Sequence, residues 1–158
     1  MANLDLLENS IPVAPLKLAA LPGSMEMAKK VDSYLVQFRK ELAERRNGVS
    51  FSGYSEDSFL IDCECPRFGS GEAKGKINES VRGADLYILV DVCNYSITYK
   101  VCGYENHMSP DDHYQDLKRI ISAATGKAHR INVIMPFLYE GRQHRRTKRE
   151  SMDCALML

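Results

Sequence analysis

Short apolar runs alternate along the chain with longer stretches in which apolar residues recur every three or four positions. Residues 17–21 form such a run, and Pro-Gly-Ser at positions 22–24 closes it. Apolar side chains with helical spacing follow at Met27, Val31, Leu35, Phe38 and Leu42. This pattern predicts a strand, a turn and an amphipathic helix from about residue 25 to about residue 46.

Both ends of this helix carry terminal signals. Ser24 is the residue type that commonly caps a helix N-terminus, and Glu26 falls in the first turn, where the helix dipole favours a negative charge. Asn47-Gly48 supplies residues that tolerate the left-handed conformation found at helix ends. We therefore expect Ser24 to be the N-cap and Asn47-Gly48 to end the helix.

Residues 85–90 form a continuous apolar run, and residues 130–135 form a second strand-like run, which Pro136 stops. Such runs are typical of parallel strands that helices cover on both faces, so we expect residues 85–90 to lie centrally in the sheet and 130–135 to form a second buried strand. Between them, Ser109, Pro110 and Asp112 form a helix-start signal, and the helix that follows should end at Gly126.

The remaining segments are less regular. Residues 51–65 predict irregular or hairpin strands, and the glycine-rich stretch 66–75 predicts an exposed loop between them. Residues 91–108 show no clean period, so we interpret them as an irregular connection. Residues 150–158 begin another apolar helix.

Together these elements predict an α/β fold, a three-layer αβα arrangement with a mainly parallel sheet. With 158 residues, the chain is long enough for one domain with a real core. We expect residues 1–15 to be an N-terminal extension, 16–149 to be the domain, and 150–158 to be the start of a truncated helix.

Composition narrows the choice of partners. The formal net charge is zero, from 21 basic and 21 acidic residues, so there is no general attraction to nucleic acid or to an anionic membrane. No apolar run approaches the length of a spanning helix, and no secretory signal precedes residue 15. The five cysteines are an odd number in a chain that does not need disulfides, so we expect reduced thiols in a soluble, cytoplasmic protein.

Metal binding is not indicated. Cys63 and Cys65 would share one face of a strand, but no second pair stands at zinc-site spacing, so buried thiols are the preferred interpretation. Asp111, Asp112 and His113 resemble a metal-binding cluster, yet helix capping explains the carboxylates. We assign no metal site and no complete catalytic group.

The densest local charge follows the last predicted strand. Residues 142–149 contain five permanent cations, which suit the binding of a polyphosphate, and Gln143 adds an amide that can contact a base. A solvated basic loop and a nucleic-acid patch remain the alternatives. The glycine-rich stretch fits neither standard phosphate-binding loop, and Phe68 within it is either a core residue or a platform for a purine.

Four motifs carry a family resemblance. Residues 76–83, Lys-Ile-Asn-Glu-Ser-Val-Arg-Gly before an apolar strand, resemble a hallmark segment of the phosphoribosyl-pyrophosphate synthetases, the ribose-phosphate diphosphokinases. Residues 67–72 are similar to the family's Arg-Phe-Ser-Asp-Gly-Glu loop. Asp-Leu-Lys-Arg at 116–119 and Pro-Phe-Leu-Tyr-Glu-Gly-Arg-Gln-His-Arg at 136–145 lie at the matching distances.

The resemblance implies a phosphoribosyltransferase-like N-terminal domain of an oligomeric enzyme. The family transfers the β,γ-diphosphoryl group of ATP to the 1-hydroxyl of ribose 5-phosphate, using Mg²⁺. By this resemblance Arg142 and Gln143 contact ATP, while Phe68 and Glu72 reach the adenine of an ATP site in a neighbouring subunit. The family's catalytic residues would all follow residue 158, so we expect this chain alone to be inactive.

The chain departs from the family pattern at two positions, Ser70 and His144, where aspartate is usual. A non-catalytic regulatory homologue that retains the fold and the subunit contacts is therefore the alternative function. A nucleic-acid-binding module that uses residues 142–149 is a third hypothesis, which the neutral net charge disfavours.

Overall fold

The computed structural model of the chain describes residues 11–45 and 51–158. The strands, in chain order, are β1 (Leu16–Ala20), β2 (Cys63–Glu64), β3 (Lys76–Ile77), β4 (Asp85–Leu89), β5 (Thr98–Val101), β6 (Tyr104–His107) and β7 (Arg130–Ile134). The α-helices are α1 (Met25–Arg45), α2 (Pro110–Ala124) and the short α3 (Asp153–Met157), and a 3-10 turn at Pro22–Ser24 precedes α1.

The main sheet is parallel, with strand order β1-β4-β7. In register, Leu86 of β4 lies between Lys17 of β1 and Ile131 of β7. This confirms β4 as the central strand. Two antiparallel hairpins, β2-β3 and β5-β6, stand apart from the main sheet.

The two faces of the sheet bury different helices. On one face Ile88 and Val90 of the central strand region pack with Leu117 and Ile120 of α2. On the other face, Leu18, Ala20 and Leu89 form a cluster with Ala28, and the half-buried side chains of Val31 and Leu35 from α1 pack against it. Because alternate strand residues point to opposite faces, both helices are buried by the same strands. The predicted three-layer αβα arrangement is confirmed.

The start of α2 follows the sequence signal. The Asp112 backbone N–H donates to Ser109 Oγ at 3.2 Å, and the Ser109 N–H donates to Asp112 Oδ2 at 2.9 Å, which is a complete capping box. The helix ends at Ala124, just before Gly126, which has a φ of +74°. Both predicted ends are therefore confirmed to within two residues.

The prediction that Ser24 caps α1 is wrong. Ser24 lies inside the 3-10 turn that runs directly into α1, and its buried Oγ has no hydrogen-bond partner. Leu21, whose ψ of 156° is extended, is the N-cap residue, and the helical conformation begins directly after it. Glu26 does fall in the first turn of α1. The predicted stop at Asn47-Gly48 lies outside the described residues.

Residues 91–108 are more regular than the sequence predicts, because they contain the β5-β6 hairpin. Its two-residue turn consists of Cys102 and Gly103, both with positive φ, at 49° and 87°. Two-residue hairpin turns of the I′ class require this conformation at both positions. Cys-Gly is a rarer turn signal than Asn-Gly, so the sequence analysis did not predict this hairpin.

Two other boundaries differ from expectation. The strand β7 is at the edge of the main sheet within the described part of the chain, and Val133 and Ile134 are each 41% exposed, so the prediction of a fully buried strand is wrong. The last helix begins at Asp153, three residues later than expected, and Glu150 accepts a hydrogen bond from the Thr147 N–H at 3.1 Å. The predicted hairpin strands around the loop at 66–75 are confirmed as β2-β3.

No helix in residues 11–45 and 51–158 combines the length and the apolar composition that crossing a membrane requires.

The capping box leads to a stability prediction. We expect Ser109→Ala to lower the free energy of unfolding by about 1 kcal/mol, because the Asp112 N–H loses its acceptor. Urea unfolding followed by circular dichroism measures the change.

Ser122→Ala is the matched control, because Ser122 is an exposed serine of the same helix. Alanine is the better helix former, so this variant should be unchanged or slightly more stable. Equal losses from the two substitutions would contradict a capping role for Ser109.

Candidate functional site

Two surface segments contain the predicted ligand-binding residues. The glycine-rich loop (residues 66–75) joins β2 to β3 and contains Phe68 and Glu72. The basic loop (residues 142–149) follows β7 and contains Arg142 and Gln143. In α/β sheets, ligands bind beyond the carboxyl ends of the strands, and the basic loop is in the connection that leaves that end of β7.

The glycine-rich loop is a tight turn with defined hydrogen bonds. The Phe68 N–H donates to the Glu72 carbonyl at 2.7 Å, and the Gly71 N–H donates to the Phe68 carbonyl at 2.9 Å. Phe68 is 53% exposed, so its ring is a surface group and the core interpretation of this residue is wrong. The Ser70 hydroxyl donates to Glu72 Oε2 at 2.9 Å, so the serine that replaces the usual aspartate orients the neighbouring carboxylate.

A buried carboxylate anchors this loop to α2. Arg67 Nη2 lies 2.7 Å from Asp116 Oδ2, and Arg119 Nη1 lies 2.6 Å from Asp116 Oδ1. The Asp116 side chain is 3% exposed. Burial raises the pKa of Asp116, and the two guanidinium groups oppose that shift by favouring the charged form. The ion pairs therefore fix where the glycine-rich loop leaves the sheet.

Two glycines are required by close packing in this region. Gly71 has a φ of +90°, and a Cβ there would lie 2.9 Å from Val101 Cγ2. Gly75 lies so close to α2 that a Cβ would be 2.4 Å from the Arg119 carbonyl oxygen. Gly71 and Gly75 therefore allow the loop to approach its neighbours closely.

The basic loop combines free cations with a fixed backbone. Arg142 is exposed, and its guanidinium has no hydrogen bond or ion pair with any residue that the structure describes. Gln143 Nε2 donates to the Ser151 carbonyl at 2.8 Å, and the Cys154 N–H donates to the Gln143 carbonyl at 3.2 Å. His144 Nδ1 lies 3.0 Å from the Gly141 carbonyl. Gln143 thus holds the loop in shape, while Arg142 remains available to a ligand.

Tyr139 connects the approach to the basic loop with α2, a role that the sequence analysis missed. Its hydroxyl donates to Asp111 Oδ1 at 2.6 Å, and its ring stacks on Tyr114 with centroids 4.4 Å apart. The hydrogen bond to Asp111 raises the pKa of Tyr139 well above its usual value, so the phenol stays protonated as the donor. No local sequence pattern signals this contact, because Tyr139 and Asp111 are 28 residues apart.

The predicted ligand-binding residues form two separate surfaces. Phe68 and Glu72 share the glycine-rich loop, whereas Arg142 and Gln143 share the basic loop. Across the described ranges, no hydrogen bond, ion pair or ring contact joins the two loops. The glycine-rich loop is tied to the N-terminal half of α2 through Asp116, and Tyr139, three residues before the basic loop, is tied to it through Asp111.

The candidate metal ligands have other partners. Asp111 and Asp112 accept bonds from Tyr139 and from the helix cap, and His113 Nε2 lies 2.8 Å from the Asn94 carbonyl. No group of three His, Cys, Asp or Glu side chains that could hold a metal ion occurs in the portion of the chain described.

The two thiols of the Cys-x-Cys motif face the core as predicted. Cys63 Sγ lies 3.5 Å from the Ala20 carbonyl, and Cys65 Sγ lies 3.7 Å from the Asp116 carbonyl. Burial, followed by the Asp116 charge, raises the pKa of Cys65 to about 12. Because metal ligation requires a thiolate, this environment favours inert structural thiols.

Comparison with known proteins gives one consistent result. The family model for the N-terminal domain of ribose phosphate pyrophosphokinase matches residues 16–158. Ribose-phosphate pyrophosphokinase B of Dictyostelium discoideum is 32% identical over 93 residues, which are 58% of this chain and 24% of that protein. Ribose-phosphate pyrophosphokinase of Chlorobaculum tepidum is 25% identical over 135 residues, 85% of this chain and 31% of that protein.

The fold agrees with these sequence matches. The crystal structure of phosphoribosylpyrophosphate synthetase from Mycobacterium smegmatis superposes with a TM-score of 0.58 at 21% identity, covering 90% of this chain and 37% of that one. The main sheet and its two helical layers therefore have a phosphoribosyltransferase-like fold. In the two curated relatives, the matching region is about a quarter to a third of the whole protein.

The buried ion pairs generate a prediction. We expect Asp116→Asn to lower the free energy of unfolding by about 2–4 kcal/mol, because Arg67 and Arg119 lose the charge that compensates their partial burial. Denaturant unfolding at neutral pH measures the loss. Asp57→Asn is the control, since the Lys40–Asp57 pair is exposed and 3.7 Å long and should matter little.

The thiol environments generate a second prediction. Because burial raises the pKa of Cys65 to about 12, this thiol stays protonated at pH 8, so iodoacetamide should modify the exposed Cys93 and Cys102 long before Cys65. Peptide mass spectrometry of the labelled chain gives the order, and denatured chain, in which all five thiols should react, is the control. Early labelling of Cys65 in the folded chain would show that its site is open.

Proposed function

The chain belongs to the ribose phosphate pyrophosphokinase family, whose N-terminal domain it contains, and on that premise we propose that it forms part of a ribose-phosphate diphosphokinase. The proposed reaction transfers the β,γ-diphosphoryl group of ATP to the 1-hydroxyl of ribose 5-phosphate. The match over residues 16–158 supports the assignment. Five unpaired thiols favour a reducing, cytoplasmic location for this enzyme.

The observation that carries the proposal is the unpaired guanidinium of Arg142 on a loop whose backbone is fixed. Arginine presents a rigid fork of donors that matches phosphate oxygens, and no described residue competes for it. Four more cations lie within the next seven residues. Because Gln143 and Tyr139 already hold the segment, less conformational entropy is lost when a ligand binds. This favours specific phosphate binding over a merely solvated basic loop.

The glycine-rich loop is the proposed contact for adenine. Phe68 is a half-exposed aromatic ring on a turn with closed hydrogen bonds, and aromatic faces stack well on purines. Following the family resemblance, we assign this loop to the ATP site of a neighbouring subunit in a homo-oligomer, which agrees with its lack of contact with the basic loop in the described residues. Glu72 would approach the same nucleotide.

Magnesium is assigned to the nucleotide and not to this part of the chain. The described residues offer no three-ligand cluster, so they do not fit a resident metal. Mg²⁺ would enter with the ATP phosphates, because it binds phosphates readily and keeps several waters. No described residue is assigned to ribose 5-phosphate.

A regulatory homologue without catalysis is the second candidate function. The Ser70 hydroxyl donates a hydrogen bond to the Glu72 carboxylate at 2.9 Å, and His144 Nδ1 lies 3.0 Å from the Gly141 carbonyl. Both departures from the family pattern thus alter a loop that is proposed to contact ATP. A polypeptide of the relatives' length that assembles and binds ATP, yet transfers no diphosphoryl group, would favour this function.

Calorimetric titration with Mg-ATP tests the proposal. We expect weak, salt-sensitive binding to the chain, and a loss of about ten- to a hundredfold in affinity for Arg142→Ala, because forked charge-assisted hydrogen bonds disappear. Arg142→Lys keeps the charge but not the fork and should lose most of the same affinity.

Arg146→Ala is the matched control, since it removes one exposed cation from the same loop. A smaller loss than for Arg142→Ala is expected. Equal losses would indicate general attraction by the basic loop and not a defined site. Absence of ATP binding in an assembled oligomer would contradict the proposed ATP site.

A further inference from the structure

The β5-β6 hairpin is the element that the proposed function leaves without a role. Its first strand alternates, with Thr98 and Lys100 exposed and Tyr99 and Val101 half-buried. The half-buried pair faces the glycine-rich loop, because Val101 packs at Gly71 and Tyr99 lies under Arg67. The hairpin therefore has an inner face with a defined partner.

The hairpin contacts the glycine-rich loop at three of its residues, Arg67, Gly69 and Gly71. The Cys102 N–H donates to the Gly69 carbonyl at 2.8 Å, across the tips of the two turns. The close approach of Val101 Cγ2 to Gly71 fills the middle of the contact. The Arg67 guanidinium carbon lies 4.5 Å from the centre of the Tyr99 ring, at the base. The first half of the loop is thus in contact with the hairpin.

Tyr99 is itself held by a hydrogen bond to the start of α2. Its hydroxyl donates to Asp112 Oδ1 at 3.2 Å, and Asp112 is already held by the capping box. At the base of the hairpin, Tyr95 stacks on His107 with centroids 4.5 Å apart. The ring of Tyr99 therefore lies between a rigid helix start and the side chain of Arg67.

The hairpin adds to the restraints that hold the glycine-rich loop in one conformation. Gly69 has no atom near the position of a Cβ, and glycines lose more conformational freedom on ordering than other residues. Within the loop, backbone hydrogen bonds join residues of the tight turn and residues at the two ends of the loop. Arg67 is the side chain of the loop that both Asp116 and Tyr99 hold.

We propose that Tyr99 is a positioning residue for ATP, which acts through Arg67 to hold the glycine-rich loop so that Phe68 and Glu72 meet the adenine in one orientation. This inference rests on the proposed function, because it assigns the hairpin to the same nucleotide site. Tyr99 itself does not touch the ligand. The cation–π contact and the hydroxyl bond to Asp112 are the two means by which it acts.

Hydrogen exchange read by mass spectrometry tests the support without any ligand. In Tyr99→Leu, the loop peptide spanning residues 66–75 should exchange about three- to tenfold faster, because loss of the cation–π contact makes local opening easier. Tyr99→Phe keeps the ring over Arg67 and should restore most of the protection. Tyr104→Ala changes a tyrosine of the same hairpin that is 78% exposed, and it should leave the loop unchanged.

Steady-state kinetics of the polypeptide of the relatives' length tests the link to ATP. Tyr99→Leu should raise KM for ATP by about three- to tenfold, with kcat at saturating ATP and KM for ribose 5-phosphate unchanged. Tyr99→Phe should recover most of the affinity. A fall of about three- to tenfold in kcat without a change in KM for ATP would overturn the positioning role.

The two measurements separate failure of this inference from failure of the proposed function. Unchanged loop exchange in Tyr99→Leu, or faster exchange spread evenly into β4, would overturn the support even if the wild-type chain binds ATP. A wild-type chain that fails to bind ATP would overturn the nucleotide role, while the exchange result would still decide whether Tyr99 holds the loop.

Discussion

The buried carboxylate of Asp116 is the constraint on which the arrangement of the candidate site depends. A charge that is 3% exposed must be paired, and here Arg67 and Arg119 lie at 2.7 Å and 2.6 Å. Arg119 belongs to α2, but Arg67 comes from the glycine-rich loop far along the chain. Satisfying one carboxylate therefore fixes the relative position of a helix and a surface loop. The thiol of Cys65, the residue that follows β2, lies 3.7 Å from the Asp116 carbonyl and adds the end of this strand to the same junction.

Acidic side chains of the same helix hold the glycine-rich loop, the β5-β6 hairpin and the segment that leads into the basic loop. Asp111 accepts a hydrogen bond from Tyr139, Asp112 accepts one from Tyr99, and Asp116 pairs with Arg67. Asp111 and Asp112 lie in the first helical turn, where the helix dipole stabilises negative charge. If the two loops serve nucleotides of two different subunits, a shift of α2 would move both. The first turns of α2 are thus the mechanical connection between the two surfaces.

Local signals predicted the framework, and non-local contacts decided the rest. The apolar run of β4 and the capping box of Ser109 and Asp112 each depend on neighbouring residues alone, so they could be identified from the sequence. The β5-β6 hairpin depends on a Cys-Gly turn and on packing against Gly71, which no local pattern announces. Ser24 has the right chemistry for a cap, but the Pro22–Ser24 turn continues into α1 and places it inside the helical path.

In the candidate site, residue type alone predicts ligand binding less well than the contacts that fix the backbone around each residue. A basic run and an exposed phenylalanine are ordinary surface features, and the neutral net charge gives no reason to single them out. What distinguishes Arg142 is that its loop is held by Gln143 while its own guanidinium is unpaired. Phe68 is distinguished in the same way, since its loop is anchored by Arg67 and its ring is half exposed. A fixed backbone that presents an unsatisfied group is the property that favours binding, and only the three-dimensional contacts reveal it.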